Sequence, residues 1–241
     1  MRALVISHDP SEEPGLVGRR LQELGWELEG FVVCDTPDDP VSHRPFPGLD
    51  GVELVVAMGS PWSVYDADRI GSWVDRELDL LRGVHAAGIP YLGVCFGAQM
   101  LAAALGGSVE RAPRPELGWV EVRTDAPDLI APGPWFQWHG DRLVPPAGAT
   151  VLAANDVGVQ AFSVGRSLGV QFHPEVDRAL LASWLEGELA GEEAADPMFA
   201  EVGTDPQTLV ADAATHADTA AANARRLVDG FLDRTVGIRG A

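Results

Sequence analysis

Apolar residues fall in two spacings along this chain, and the switch between them outlines the fold. Residues 2–7 form a short apolar run, followed by a polar loop over 8–15 and helically spaced apolar positions near 16–24. Further apolar runs cover 28–34 and 52–58, separated by a Pro/Asp-rich connection. Continuous runs of this length suit strands buried on both faces of a parallel sheet. Ile70, Trp73, Val74, Leu78 and Leu81 recur at near-helical spacing and predict one helix over 66–87. A fourth apolar run at 89–92 leads through a sharp turn into a helix over 98–105. Successive strand–helix units predict an α/β fold with a doubly wound, mostly parallel sheet and flanking helices.

From 106 to 172 the pattern changes to short strands, at 108–111, 119–124, 135–138, 151–155, 160–164 and 168–172, which form a small antiparallel section. Residues 180–189 read as a helix, 191–206 as an acidic loop, and 207–234 as a last helix with one apolar stripe from Leu209 to Phe231. The expected organisation is a single domain over 1–241, with a core over about 1–187 and a C-terminal helical extension, 188–241, packed on it. A chain of this size buries roughly 70–75% of its unfolded surface and needs no staples.

Composition narrows the function classes. The formal net charge is −19, which argues against a nucleic-acid or anionic-membrane surface. All 17 basic residues are arginine, so a Schiff-base lysine and a phosphate-loop lysine are excluded. The N-terminal residues read as a strand rather than a signal peptide, and no run approaches the roughly 20 apolar residues that span a bilayer. The expectation is a soluble, cytoplasmic protein. Cys34 and Cys95 suggest neither a disulfide framework nor a metal site. Cys34 ends an apolar run and reads as a small buried hydrophobe.

Cys95 is different. Gly93-Val94-Cys95-Phe96-Gly97 joins a strand to a helix, and its small flanking residues permit the strained turn of a nucleophile elbow. A thiol at that apex faces the N–H groups of a helix start, which favour the thiolate. Far along the chain, Gly169-Val170-Gln171-Phe172-His173-Pro174-Glu175 reads as a strand running into a helix. Pro174 biases His173 towards extended backbone, where residues two apart share a face. Glu175 can then accept from one imidazole nitrogen and leave the other for Cys95, the nucleophile, base and orienter arrangement.

With these residues in view, the chain resembles the class I (triad-type) glutamine amidotransferases, and among them the free-standing, GMP-synthase-glutaminase-like members. Met58-Gly59-Ser60-Pro61, the Cys95 elbow and Gln171–Glu175 match the family in order, and Phe136-Gln137-Trp138-His139-Gly140-Asp141 resembles a substrate-contacting loop. The resemblance implies a flavodoxin-like glutamine amidotransferase fold. It implies a catalytic triad of Cys95, His173 and Glu175, with an oxyanion hole made by the backbone N–H groups of Phe96 and Ser60. Many relatives carry glycine where this chain has Ser60. Gly59, Gln99, Trp138, His139 and Gly140 are the implied substrate contacts; Gln99 lies one helical turn beyond Cys95. Glu116-Leu117-Gly118-Trp119 resembles another recurring block and reads as a turn entering a strand.

The expected reaction is hydrolysis of the glutamine γ-amide through a Cys95 thioester, with no metal and no cofactor. Ammonia would pass to a separate synthase subunit, and coupling through the Gly59-Ser60 turn would hold the isolated activity low until that partner binds. The alternative is a γ-glutamyl hydrolase or peptidase acting alone on larger γ-glutamyl compounds. A non-catalytic regulatory relative would not explain three filled triad positions. A DJ-1/PfpI-type hydrolase usually has histidine after the elbow cysteine, where this chain has Phe96.

Overall fold

In the computed structural model, which describes residues 1–191 and 196–237, each apolar run of the first half becomes a strand. The first half consists of β1 (Arg2–Ser7), α1 (Gly15–Glu23), β2 (Glu27–Val32), β3 (Leu54–Ala57), α2 (Ala67–Ile70), α3 (Val74–Ala86), β4 (Tyr91–Val94) and α4 (Phe96–Ala104). The second half adds β5 (Ser108–Thr124), β6 (Gly133–Val144), β7 (Thr150–Ala154), β8 (Val159–Val164) and β9 (Ser167–Val170). It closes with α5 (Arg178–Trp184), α6 (Glu186–Ala190), α7 (Pro197–Val202) and α8 (Pro206–Thr235).

The strands form one sheet in the order β2-β1-β3-β4-β9-β8-β7-β5-β6. The first five are parallel. From β9 onward the pairings are antiparallel. Alternate residues of the parallel strands face opposite cores. Ala3, Val5, Leu54, Val56, Leu92 and Val94 join one cluster. Leu4, Ile6, Val55, Ala57 and Tyr91 join the other, with residues of α3 and α4. Burial on both faces is why these runs carry no polar alternation.

Several boundaries differ from the sequence reading, each for a local reason. The strands expected at 108–111 and 119–124 are one strand, β5, whose register shifts between Arg111 and Glu116. Pro113 and Pro115 lie in that interval and cannot donate to a ladder, so the pattern looks interrupted where the strand is not. The helix expected over 66–87 breaks into α2 and α3 at Trp73, whose backbone leaves the helix (φ −139°) while its buried indole N–H donates to the Pro40 carbonyl at 2.8 Å. The 180–189 helix is likewise two, α5 and α6. Within the stretch read as an acidic loop, 197–202 is helical, capped by Asp196, which accepts from the Met198 N–H; residues 192–195 lie outside the described residues.

The long α8 joins the layers. Leu227, Val228, Phe231 and Leu232 are buried in the cluster that holds Ala3 and Val5. Leu209 and Ala213 belong to a third cluster with Leu117, Phe136, Leu181 and Phe199. Arg20 of α1 forks onto Asp229 of α8, at 2.7 and 2.9 Å. No helix among the described residues is long and apolar enough to cross a membrane.

Candidate active site

The carboxyl ends of β1, β3, β4 and β9 converge on one cavity of about 650 Å3, the place where open α/β sheets bind ligands. Cys95 follows β4 directly. Its φ of 49° is the left-handed value found for no other non-glycine residue among those described. Such a conformation costs on the order of 1–3 kcal/mol and persists only where its surroundings hold it. The surroundings are specific. The Cys95 N–H donates to the Val170 carbonyl at 2.8 Å, and the Gly97 N–H to the Met58 carbonyl at 3.1 Å. A Cβ on Gly93 would stand 2.6 Å from the Gly97 backbone, and one on Gly97 would press into the Ala57 carbonyl. Both elbow glycines are therefore required by close backbone approach.

His173 and Glu175 come together as expected, though in a turn rather than an extended strand, since β9 ends at Val170. The chain leaves the ladder when the His173 N–H donates to the Phe136 carbonyl at 2.8 Å. The His173 Nδ1–H donates to Glu175 Oε1 at 2.7 Å, with both side chains buried. The Glu175 carbonyl accepts from the Leu16 N–H at 2.8 Å, which ties the turn to the start of α1. Burial alone would lower the His173 pKa, but Glu175 and the adjacent Cys95 thiol outweigh it and hold it well above the ordinary histidine value. His173 Nε2 is buried and has no hydrogen bond of ordinary geometry in the resting site. Such contacts are often long before substrate binds.

The remaining residues flagged by the sequence are distributed as follows. Ser60, Phe96, Gln99, Trp138, His139 and Gly140 all line the cavity. Gly59 does not: it backs the site, its carbonyl turned to His8, and a Cβ there would stand 2.9 Å from Glu12 Oε2 and 3.3 Å from the His173 ring. Gln99 Nε2 donates to Gln171 Oε1 at 3.2 Å, and Gln171 Nε2 approaches Cys95 Sγ at 3.5 Å. The Trp138 carbonyl is 4.0 Å from the same sulfur. Both ring nitrogens of His139 are occupied, by the Asp141 carbonyl at 2.7 Å and by Gln137 Oε1 and Glu116 Oε2 at 3.0 and 3.2 Å. Only its ring face and backbone are free to meet a ligand.

That network gives the Glu116 block its place. Glu116 lies within β5 rather than in a turn, and it accepts from Asn155 and Gln160 at 2.8 and 2.9 Å. Burial pushes its carboxyl up, but the hydrogen bonds from His139 and these amides win and hold it below the ordinary glutamate value. Trp184, Glu12 and the partners of Asp141 carried no sequence signal. Trp184 stands edge-on to His173 at 5.6 Å and donates to the Ser11 carbonyl at 2.9 Å, closing one wall. Asp141 accepts from Ser63 and Tyr65, both at 2.5 Å. Glu12 lines the cavity, and its Oε2 is buried without a donor. Burial pushes its carboxyl up to about 7. Among the described residues no group of three or more His, Cys, Asp or Glu is placed to hold a metal ion.

The fold, with a cysteine elbow after β4 and a His–Glu pair after the neighbouring β9, is that of the glutamine amidotransferases. The chain belongs to one family among them, glutamine amidotransferase class-I, whose model matches residues 16–184. It is 33% identical over 186 residues to a glutamine-hydrolyzing GMP synthase of Porphyromonas gingivalis, covering 73% of this chain and 33% of that protein. It is 36% identical over 183 residues to the corresponding protein of Aeropyrum pernix, covering 70% and 33%. The chain thus spans about a third of the length of these relatives. A solved glutamine amidotransferase from Thermotoga maritima superposes with a TM-score of 0.80 at 28% identity, over 97% of this chain and 98% of that one. A glutamine amidotransferase from Methylobacillus flagellatus, 23% identical, shares the fold with a TM-score of 0.81, over 100% of this chain and 96% of that one.

Proposed function

We propose that this protein hydrolyses the γ-amide of glutamine through a thioester on Cys95. The observation that carries the proposal is the buried His173–Glu175 pair at 2.7 Å beside a cysteine held at positive φ. The Cys95 thiolate attacks the γ-carbonyl carbon, and the carbonyl electron pair moves to oxygen. The backbone N–H groups of Ser60 and Phe96 stabilise that oxyanion; one such donor is worth about 2.7–4 kcal/mol of the barrier. The His173 imidazolium gives its proton to the amide nitrogen, the C–N bond breaks, and ammonia leaves. Water then attacks the thioester while His173 takes its proton. Collapse of the second oxyanion releases glutamate and restores the thiolate. Glu175 keeps the imidazole oriented throughout. Gln99, Gly140 and the Trp138–His139 backbone hold the amino-acid end of the substrate.

The relatives named GMP synthase suggest that the ammonia is passed on to a synthase. A second reading, a γ-glutamyl hydrolase acting alone on larger γ-glutamyl compounds, is favoured by one observation. The cavity carries carboxyl groups of Asp9, Glu12, Asp141, Glu186 and Asp196 and, among the described residues, no arginine. Such a lining suits a leaving group that bears an amine. Steady-state assays with L-glutamine and with γ-glutamyl amines separate the two. Equimolar glutamate and ammonia from glutamine supports the first reading, whereas cleavage of γ-glutamyl amines with glutamine untouched replaces it by the second. Activity on neither overturns both.

A further inference from the structure

His8 and Glu77 form a buried ionisable pair that the reaction scheme leaves unused. Both side chains are fully inaccessible, although 69 residues separate them. His8 follows β1, and Glu77 lies on α3. The imidazole is wedged between Trp73 and Phe96, with ring centroids 5.6 and 4.6 Å away. Its Nε2 lies 3.2 Å from both Glu77 oxygens, and its Nδ1 lies 2.5 Å from the carbonyl oxygen of Gly59.

A carbonyl can only accept, so Nδ1 carries the proton. That holds in either protonation state of the pair. An imidazolium donates from both nitrogens, while a neutral ring facing a protonated Glu77 accepts at Nε2 and still donates at Nδ1. Burial alone would lower the His8 pKa, but Glu77 outweighs it, with smaller contributions from the Gly59 carbonyl and Glu12, and the ring is raised above the ordinary histidine value. The charged, two-donor form is thereby favoured.

The carbonyl that His8 holds belongs to the same planar peptide as the Ser60 N–H. In a trans peptide the C=O and N–H point in opposite directions. Fixing the Gly59 oxygen towards the core therefore aims the Ser60 N–H at the cavity, which Ser60, Phe96 and Cys95 line. A flip of this peptide would place a carbonyl dipole where the oxyanion forms and would strip the buried Nδ1–H of its acceptor. Leaving that buried donor without a partner is costly, and more so for a charged group.

We propose, on the reading that Ser60 supplies an oxyanion donor, that His8 and Glu77 are positioning residues: the pair locks the Gly59–Ser60 peptide with its N–H facing the substrate, so the oxyanion hole stands ready before substrate or partner arrives. The clamp argues against a turn held misoriented until a synthase binds. Activation by a partner would then have to act elsewhere, for instance on the cavity wall around Trp184.

The test compares wild type with His8→Leu, His8→Asn and the double variant His8→Leu/Glu77→Leu. The double variant removes both partners together, so no unpaired buried charge remains to unfold the chain. Three readouts are taken: kcat and KM for L-glutamine or a γ-glutamyl amide, the alkylation rate of Cys95 by iodoacetamide, and the orientation of the Gly59–Ser60 peptide in crystals. Alkylation at a saturated carbon develops no oxyanion. In the Leu variants kcat should fall by about 10²–10³-fold, the scale of one lost oxyanion donor, with KM changed far less. Alkylation should hold near the wild-type rate, and the peptide should be seen flipped or in two orientations. His8→Asn, whose amide can reach the same carbonyl, should recover most of kcat. A kcat within about threefold of wild type in the double variant overturns the clamp. So does an alkylation rate that falls in step with kcat, or a lost kcat with the peptide unmoved. A wild-type protein that cleaves no γ-glutamyl amide would sink the hydrolase reading instead, and the peptide orientation would still decide the clamp.

Discussion

Glu12 lines the cavity with its Oε2 buried and without a donor. Its carboxyl is pushed up to about 7, first by burial, with Asp9 and Glu175 adding to the rise while His173 opposes it. A carboxyl whose folded pKa lies above its unfolded value near 4.5 binds more protons when folded. Folding stability therefore falls as pH rises from about 4.5 to about 7 and stays lower above that window. Glu12→Gln removes the ionisation, so it should stabilise the protein at pH 8 by about 1–3 kcal/mol and much less at pH 5. Urea unfolding at the two pH values checks this; an equal effect at both would show that Glu12 does not titrate there. Glu175→Gln keeps the shape beside His173 but alters the preferred tautomer. It should lower kcat by about 10²–10⁴-fold with the fold intact by circular dichroism. Retention of wild-type kcat would leave Glu175 without a role in turnover. The two cysteines should also separate. Cys34 is buried and its thiol is pushed up to about 11 by burial and by Asp39, Asp9 and Asp35, so iodoacetamide near neutral pH should label Cys95 alone. Equal labelling of both would contradict the assignment.

At the scale of elements, the strand–elbow–helix unit of β4 and α4 is where sequence and structure agree most closely. Its information is local: a four-residue strand, two glycines and the cysteine between them lie within one short window. The glycines serve backbone contact with α4 and β3. Gly97→Ala should therefore destabilise the protein by about 1–3 kcal/mol, the usual cost of overpacking, and lower kcat as well by displacing Cys95. Unchanged urea midpoint and kcat would mean that the elbow has more slack than its geometry indicates. His173 and Glu175 were readable for the same reason, being two residues apart. The rest of the site is assembled from distant segments. Asp141 meets Ser63 and Tyr65 across 78 and 76 residues, and Glu116 reaches His139 only because β5 and β6 pair. No periodicity encodes such meetings. The parallel half of the sheet was visible because burial on both faces leaves unbroken apolar runs. The β5–β6 ladder was seen only in fragments, because Pro113 and Pro115 interrupt the pattern without ending the strand.

At the scale of the whole molecule, α8 is the element that decides whether the chain behaves as one unit. It contributes to the same buried cluster as β1 and to the cluster behind Trp138 and Trp184. We propose that the core and its C-terminal extension unfold together. Phe231→Ala should cost about 3–5 kcal/mol and shift a single transition, monitored together by circular dichroism and tryptophan fluorescence. Two separated transitions would identify α8 as an independently melting appendage.

A γ-glutamyl group carried on Cys95 during turnover should be open to trapping. Enzyme turning over L-glutamine is quenched in acid, digested and analysed by mass spectrometry. The predicted result is a γ-glutamyl adduct on the peptide that contains Cys95, absent from the Cys34 peptide and absent throughout in Cys95→Ala, which should also release no ammonia. Glutamate and ammonia produced by Cys95→Ala at the wild-type rate, or an adduct on another side chain, would contradict it.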